Sequence, residues 1–338
     1  MTVDAVILTY KPTEKLIACL EKLLCQTVRI DKIYVVNTEE QYFHAFMYGR
    51  GFIEKHKNIQ VSHLSRKEFN HGKTRDVAMR HSDADFVLMM TDDAIPEDEF
   101  LVERLVKAAA PSDVAASYAR QKPNEDASEI ESFTRNFNYP AESCVKTLKD
   151  LDRLGIKTYF FSNVCAMYKK RVYEELGGFI KCTILNEDMI YAYTAMQKGY
   201  GIAYAADACV FHSHNYTNRE QMRRNFDIAV SHADHPEIFE GIPPLGEGRK
   251  LVSMTAEYLR KIGKGSKVIG LYITSAYKYL GYRRGLRYKK YSQKKIYKYT
   301  MNREYWPQNA RRRAVEGIDA TKGYGRSAEE DGMRRAGL

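Results

Sequence analysis

Short apolar runs alternate with stretches of helical periodicity through the first 240 residues, the pattern of βαβ units feeding a mainly parallel sheet. Residues 3–8 read as a buried strand. Pro12 then falls where a first helical turn tolerates it, and Leu16, Leu20, Leu23 and Leu24 recur at helical spacing as far as Gln26. Further strands are predicted over 32–36, 59–64, 86–90 and 114–118. A polar turn at 70–73 precedes a helix over 74–81, and another helix is expected from about Glu97. Residues 119–157 are polar, aromatic and weakly patterned, as expected of a segment covering the acceptor side of a site. Strand character resumes over 160–168, and Gly177-Gly178 breaks a helix predicted over 170–176. Asn186-Glu187-Asp188 opens a helix over 189–198, a last strand covers 203–211, and a helix follows over 219–233. Residues 238–248, rich in Gly and Pro, read as a junction. Beyond it, Ile269, Ile273, Ala276 and Leu280 mark one apolar stripe on a basic helix, the pattern of an interfacial or docking helix. The chain therefore divides into an α/β domain over 1–240, a basic, Tyr-rich helical region over 249–309, and a tail over 310–338 in which low apolar content predicts disorder.

Composition narrows the class. With 338 residues, 44% hydrophobic and 28% charged, the chain has the make-up of a globular protein with a sizeable core. No apolar run approaches the roughly 18 to 20 residues of a membrane span, and no basic region precedes the first apolar stretch, so neither a transmembrane helix nor a signal peptide is expected. Six scattered cysteines without a CxxC pair fit reduced thiols in a cytoplasmic protein. The net charge of +10 conceals a division: from residue 249 onward 23 basic residues face 7 acidic ones, whereas residues 1–248 hold 30 against 36. The basic part interleaves its cations with Tyr, which suits a polyanion such as an anionic membrane surface or a nucleic acid, or else makes a solvated helix face.

In an open α/β sheet the ligand lies beyond the carboxyl ends of the strands, so four polar strand ends draw attention: Thr9-Tyr10, Asn37-Thr38, Asp92-Asp93 and His212-Ser213-His214. There is no GxGxxG after the first strand. His71-Gly72-Lys73-Thr74 lacks a P-loop's leading Gly, since Lys67 stands in its place. Asp92-Asp93 offers hard oxygens for Mg²⁺ or Mn²⁺, or caps a helix. The i, i+2 spacing of His212 and His214 puts both on one side of an extended segment, where an imidazole can complete such a shell. Glu187-Asp188 either serve chemistry or complement a helix dipole, and Arg75 either grips a phosphate or forms a salt bridge.

The order of these segments is similar to that of the inverting glycosyltransferases of family 2, and within them to bacterial rhamnosyltransferases, over about residues 3–235. Phe69-Asn70-His71-Gly72-Lys73-Thr74-Arg75 carries the likeness, with Phe211-His212-Ser213-His214-Asn215-Tyr216-Thr217 and Arg224-Asn225-Phe226-Asp227. The resemblance implies a GT-A fold, a Rossmann-like mainly parallel sheet flanked by helices, with a nucleotide-diphosphate sugar donor and a divalent cation, Mg²⁺ or Mn²⁺. It implies that Thr9, Tyr10 and Asn37 line the base and ribose pocket, and that Asp92 contacts the nucleotide. Arg75 then approaches the diphosphate, with His71, Gly72 and Glu187 beside it. Asp93 matches the metal-binding acid, joined by His212 or His214, of which His212 lies closer to the strand end. Ala94 departs from a strict D-x-D. Asp188 matches the catalytic base.

On this reading Asp188 deprotonates an acceptor hydroxyl that attacks the anomeric carbon in line, with inversion. With dTDP-β-L-rhamnose as donor the product is an α-L-rhamnoside. The expected acceptor is a glycan on a lipid carrier at the inner face of the cell membrane, which gives the basic region an anionic surface to meet; no nucleic-acid partner is expected. A catalytically dead carbohydrate-binding relative is opposed by the intact Asp93, Asp188 and His212, which leaves two competing readings. One keeps the fold with UDP-glucose, UDP-galactose or UDP-N-acetylglucosamine as donor. The other makes the basic region a nucleic-acid-binding element on an α/β scaffold.

Overall fold

A computed structural model describes residues 1–241 and 245–307; the tail expected over 310–338 lies outside the described residues. The first half comprises β1 (Val3–Tyr10), α1 (Glu14–Leu24), β2 (Lys32–Thr38), α2 (Glu40–Met47), α3 (Phe52–Lys55), β3 (Ile59–Leu64), α4 (His71–Arg80) and β4 (Phe86–Thr91). There follow β5 (Ile95–Pro96), α5 (Leu101–Ala109), β6 (Val114–Lys122), α6 (Glu129–Asn138), β7 (Cys144–Lys146), α7 (Leu151–Leu154), β8 (Cys165–Lys169) and α8 (Lys170–Glu175). The chain continues through α9 (Glu187–Gln197), β9 (Gly201–Phe211), α10 (Asn218–Asp234), α11 (Pro236–Phe239), α12 (Leu245–Lys261), α13 (Lys267–Gly285) and α14 (Gln293–Tyr299).

Among the described residues nine strands make one sheet in the order β3-β2-β1-β4-β8-β6-β9-β5, with β7 added on β9. The run β3-β2-β1-β4 is parallel throughout, as is β6 with β9, while β8 runs antiparallel between β4 and β6. Val6 and Leu8 of β1 enter one apolar cluster and Val3, Ala5 and Ile7 the other, so the strand is buried on both faces, which is why its sequence shows no alternation.

Several boundaries move for identifiable reasons. Thr13 caps α1 and Pro12 stays outside it. The turn expected at 70–73 is the first turn of α4, because the Asn70 side chain accepts from Gly72 N and Lys73 N. The helix expected near Glu97 begins at Leu101, because Ile95–Pro96 pair with β9 instead. Phe160 precedes β8 in a loop and Phe161 fills the core there. Within 119–157, β6 extends to Lys122, and α6 forms behind a Ser128 cap. The junction at 238–248 is partly helical, since α12 starts at Leu245.

The basic C-terminal part packs on the α/β part through α13, which lies along α10. A Cβ on Gly281 would come within 2.1 Å of the Met222 carbonyl oxygen, and one on Gly285 within 2.3 Å of that of Phe226. Only glycine lets the two backbones approach this closely. Buried Asp227 of α10 accepts from the Thr300 hydroxyl and from the backbone N–H groups of Met301 and Asn302, tying down the chain beyond α14. Tyr305 and Trp306 complete this junction against Ile184 and Phe226. Among the described residues no helix is long and apolar enough to cross a membrane.

Candidate active site

The carboxyl ends of β1, β2, β4 and β9 converge as polar chemistry requires. Thr9 donates its hydroxyl to Asp92 at 2.5 Å, and burial pushes the Asp92 carboxyl up to about 6 despite that bond. Asn37 is wholly buried. Its amide donates to His63 Nδ1 at 3.0 Å while its carbonyl oxygen has no partner, leaving a buried acceptor for an incoming N–H or O–H. Tyr10 sits at the rim, edge-on to Tyr42 with ring centroids 5.9 Å apart, and Arg66 donates to its hydroxyl at 3.3 Å. His63, Tyr42 and Arg66 carry no signal in sequence because the pairing of β2 with β1 and with β3 is what brings them here.

Pairing of Ile95 with Phe211 sets Asp93 beside the end of β9. His212 Nε2 lies 3.5 Å from one Asp93 oxygen and His214 Nε2 lies 3.6 Å from the other. His212 donates from Nδ1 to Gln121 Oε1 at 2.9 Å, which leaves its Nε2 lone pair directed at Asp93. Gln121 is itself fixed by Tyr139, Ser162 and Arg135. Burial pushes the His212 pKa down to about 3, so a neutral imidazole stands there. Two imidazoles and one carboxylate within a single ligand sphere, the buried one oriented by a side-chain carbonyl, fit a divalent cation of the Mn²⁺ or Mg²⁺ type. Ala94, where D-x-D would put its second acid, is wholly buried in the core. A second trio, Glu40, His44 and His63, is weaker: Glu40 and His44 pair with each other in solvent, and Asn37 occupies His63 Nδ1.

Asp188 stands in the first turn of α9, entered through Asn186 in the left-handed region at φ 67°, a conformation Asn tolerates. Its two oxygens accept from Asn163 N at 3.1 Å and Met189 N at 2.8 Å. Burial, and then the neighbouring Glu187 charge, raise the Asp188 pKa to about 7. Such a carboxylate is poised to take a proton near neutral pH.

Asn70-His71-Gly72-Lys73-Thr74-Arg75 proves to be a clamp on this acid. A Cβ on Gly72 would lie 1.8 Å from the Ile180 carbonyl oxygen, so α4 presses directly on the segment leading to α9. Thr74 accepts from Asn70 N, and Arg75 reaches Glu187 at 3.2 Å with both side chains buried. His71 contacts the same guanidinium at 3.3 Å. Burial pushes the Glu187 carboxyl up, but Arg75 and then His71 outweigh it and hold the group below its ordinary range. Asn163 donates to Glu187 at 3.0 Å while its backbone holds Asp188. Arg75 and Glu187 are thus spent on each other beneath Asp188. Arg75→Met is expected to destabilise the fold by about 3–5 kcal/mol in denaturant unfolding, because it strands a buried carboxylate. Adding Glu187→Met should recover most of that loss.

Asp188, His212 and His214 line one cavity of about 400 Å³, together with Asn186 and residues of α6, α10 and α13. Thr9, Asn37 and Asp92 lie outside it, so the ends of β1, β2 and β4 and this cavity meet at the Asp93 cluster.

Residues 4–177 match the family model described as Glycosyl transferase family 2. The chain belongs to that family. This glycosyltransferase is 41% identical over 254 residues to the O-antigen chain rhamnosyltransferase RfbN of Salmonella typhimurium, covering 74% of this chain and 80% of that protein. It is 40% identical over 247 residues to the O-antigen chain rhamnosyltransferase WbaN of Salmonella anatum, covering 72% and 78%. Among solved structures it resembles a mannosyltransferase of Pyrobaculum calidifontis, determined with GDP-Man and Mn²⁺, at a TM-score of 0.53 and 15% identity over 94% of this chain and 88% of that one. The fold is therefore that of a GT-A glycosyltransferase. Asp188, His212 and His214 lie beyond the residues matched by the family model.

Proposed function

We propose that this glycosyltransferase transfers L-rhamnose, with inversion, from dTDP-β-L-rhamnose to a hydroxyl of a lipid-linked cell-surface glycan precursor. The observation that carries the reading is Asp188, a held carboxylate with a pKa raised to about 7, sharing a cavity with His212 and His214 in a chain 41% identical to an O-antigen rhamnosyltransferase. Asp188 takes the acceptor's hydroxyl proton as that oxygen bonds to the anomeric carbon, and the bond from that carbon to dTDP breaks on the far side. Asp93, His212 and His214 would hold Mg²⁺ or Mn²⁺, which supplies neutralisation of the diphosphate charge. Asn37, with Thr9, Tyr10 and Asp92 around it, serves the base and ribose, its unpartnered carbonyl accepting from the nucleoside. Arg75 and Glu187 act as positioning residues.

A donor panel tests the sugar. Purified protein with Mn²⁺ should release dTDP slowly from dTDP-rhamnose and leave UDP-glucose, UDP-galactose and UDP-N-acetylglucosamine intact. Faster turnover of a UDP-sugar would overturn the rhamnose assignment and keep the mechanism.

The acceptor's lipid carrier places the enzyme at the inner face of the membrane, and α13 supplies a surface for it. Its buried side is made of Val268, Leu271, Gly281 and Gly285, so the apolar stripe faces outward, with Ile269 70%, Ile273 47% and Leu280 45% exposed. Tyr272 and Tyr279 flank the stripe, in the region where basic residues outnumber acidic ones 23 to 7. Each cation near an anionic leaflet contributes about 1 kcal/mol. At low salt the protein should sediment with phosphatidylglycerol-containing vesicles, and Ile273→Glu with Leu280→Glu should abolish this. Equal sedimentation of the double variant, or none by the wild type, would overturn this docking face.

A further inference from the structure

α13 lies beyond residues 4–177, yet it reaches the catalytic cavity: Lys278, on its inward side, is part of the same wall as Arg224 of α10. Four lysine or arginine side chains line this cavity. Arg135 is paired with Glu131 at 2.7 Å and Lys157 with Glu247 at 2.7 Å. Arg224 and Lys278 make no hydrogen bond or ion pair among the described residues. Arg224 lies over the Tyr216 ring, 5.8 Å from its centroid, and Tyr216 in turn lies against His214 with ring centroids 5.0 Å apart. Burial holds the Lys278 ammonium below its ordinary range, with the Glu131 charge opposing that shift and the smaller influence of Arg224 adding to it. Arg224 and Lys278 thus bring two cations without an ion-pair partner among the described residues to the wall of one cavity, where they favour an entering anion. The buried pair Arg75–Glu187 supplies no such free cation.

We infer that Lys278 and Arg224 form an anion subsite of the catalytic cavity that takes a diphosphate group of a bound reactant, making helix α13 of the basic region part of the active site. The subsite shares its cavity with Asp188, His212 and His214, so the diphosphate belongs either to the donor or to a carrier-linked acceptor. The inference rests on the glycosyltransfer reading above for the identity of these reactants and on the cavity alone for the anion.

Calorimetric titration with dTDP and with inorganic pyrophosphate, in the presence of Mg²⁺, tests it. Lys278→Met should weaken binding of the relevant probe about tenfold, as loss of one charge-assisted hydrogen bond does, and Lys278→Arg should restore it. Lys290→Met removes the same charge from an exposed residue and should change nothing. If the subsite takes the donor's diphosphate, Lys278→Met weakens dTDP binding and saturating dTDP blocks pyrophosphate. If it takes the acceptor's, dTDP binding is unchanged, pyrophosphate still binds the dTDP-saturated protein, and Lys278→Met weakens that second event. Unchanged affinity for both probes in Lys278→Met overturns the subsite. Should Lys278→Met lower the Tm, Arg224→Gln, at a solvent-exposed side chain, gives the same comparison through the other cation. UDP in a parallel titration separates the claims: if only UDP binds the wild type, the thymidine assignment fails while the Lys278 comparison is still made with UDP.

Discussion

Asp188→Asn is expected to lower sugar transfer by about 10²–10⁴-fold, the usual contribution of a positioned general base, while affinity for the donor nucleotide stays close to wild type. The substitution preserves size and one acceptor for the Asn163 and Met189 N–H groups, so the loss is chemical. Wild-type kcat/KM should rise with pH and level off above about 7, because the free enzyme needs an ionised Asp188 and burial holds its pKa there. The sign for stability is the reverse. A carboxyl whose folded pKa is raised makes the native state less stable as pH climbs from the ordinary carboxylate range towards 7. At pH 8, Asp188→Asn should therefore unfold at the same Tm as wild type or a higher one. An activity profile already flat from pH 5 upward, or a variant with near-normal turnover, would remove Asp188 from the role of base.

Asp93→Asn and His212→Ala carry the second large effect. A cation that neutralises a departing diphosphate is worth several kcal/mol, so each variant should lose on the order of 10²–10³-fold in transfer. The double variant should lose little more than either single one, because the site acts as a unit. Thermal unfolding reads the cation independently of catalysis. Mn²⁺ at about 100 times its Kd should stabilise the wild type by about 2.7 kcal/mol and leave both variants unmoved. Gln121→Met tests the orientation of His212: loss of the acceptor at Nδ1 should weaken Mn²⁺ affinity about 10–100-fold without touching a ligand atom.

Much of this architecture was legible in the residues themselves. Buried strands announce themselves by unbroken apolar runs, and the polar residues that end them had to lie on the ligand side of the sheet. Local pattern stops where pairing begins. The two-residue match of Ile95 with Phe211 brings Asp93 to His212 and His214, and nothing in either segment reports it. Asn163 and Gln121 are ordinary polar residues in sequence; the first holds Asp188 and Glu187 together, and the second orients His212. The segment from Asn70 to Arg75 carries a strong signal, and its cap, close glycine and buried ion pair with Glu187 pack beneath Asp188. The stripe on α13 was visible, but its direction depends on Gly281 and Gly285, whose close fit to α10 turns the apolar side outward and Lys278 inward. The nucleic-acid reading loses its ground for a related reason: the basic part packs on α10 and lines the cavity that holds Asp188 in a family 2 glycosyltransferase.

The most direct measurement follows the anomeric configuration of the sugar released from dTDP-β-L-rhamnose by proton NMR, with water as acceptor and the spectrum collected before mutarotation. Attack guided by Asp188 from the face opposite the diphosphate predicts α-L-rhamnose as the first product, and no release with Asp188→Asn. First formation of β-L-rhamnose, or release undiminished in the variant, would contradict an inverting transfer based on Asp188.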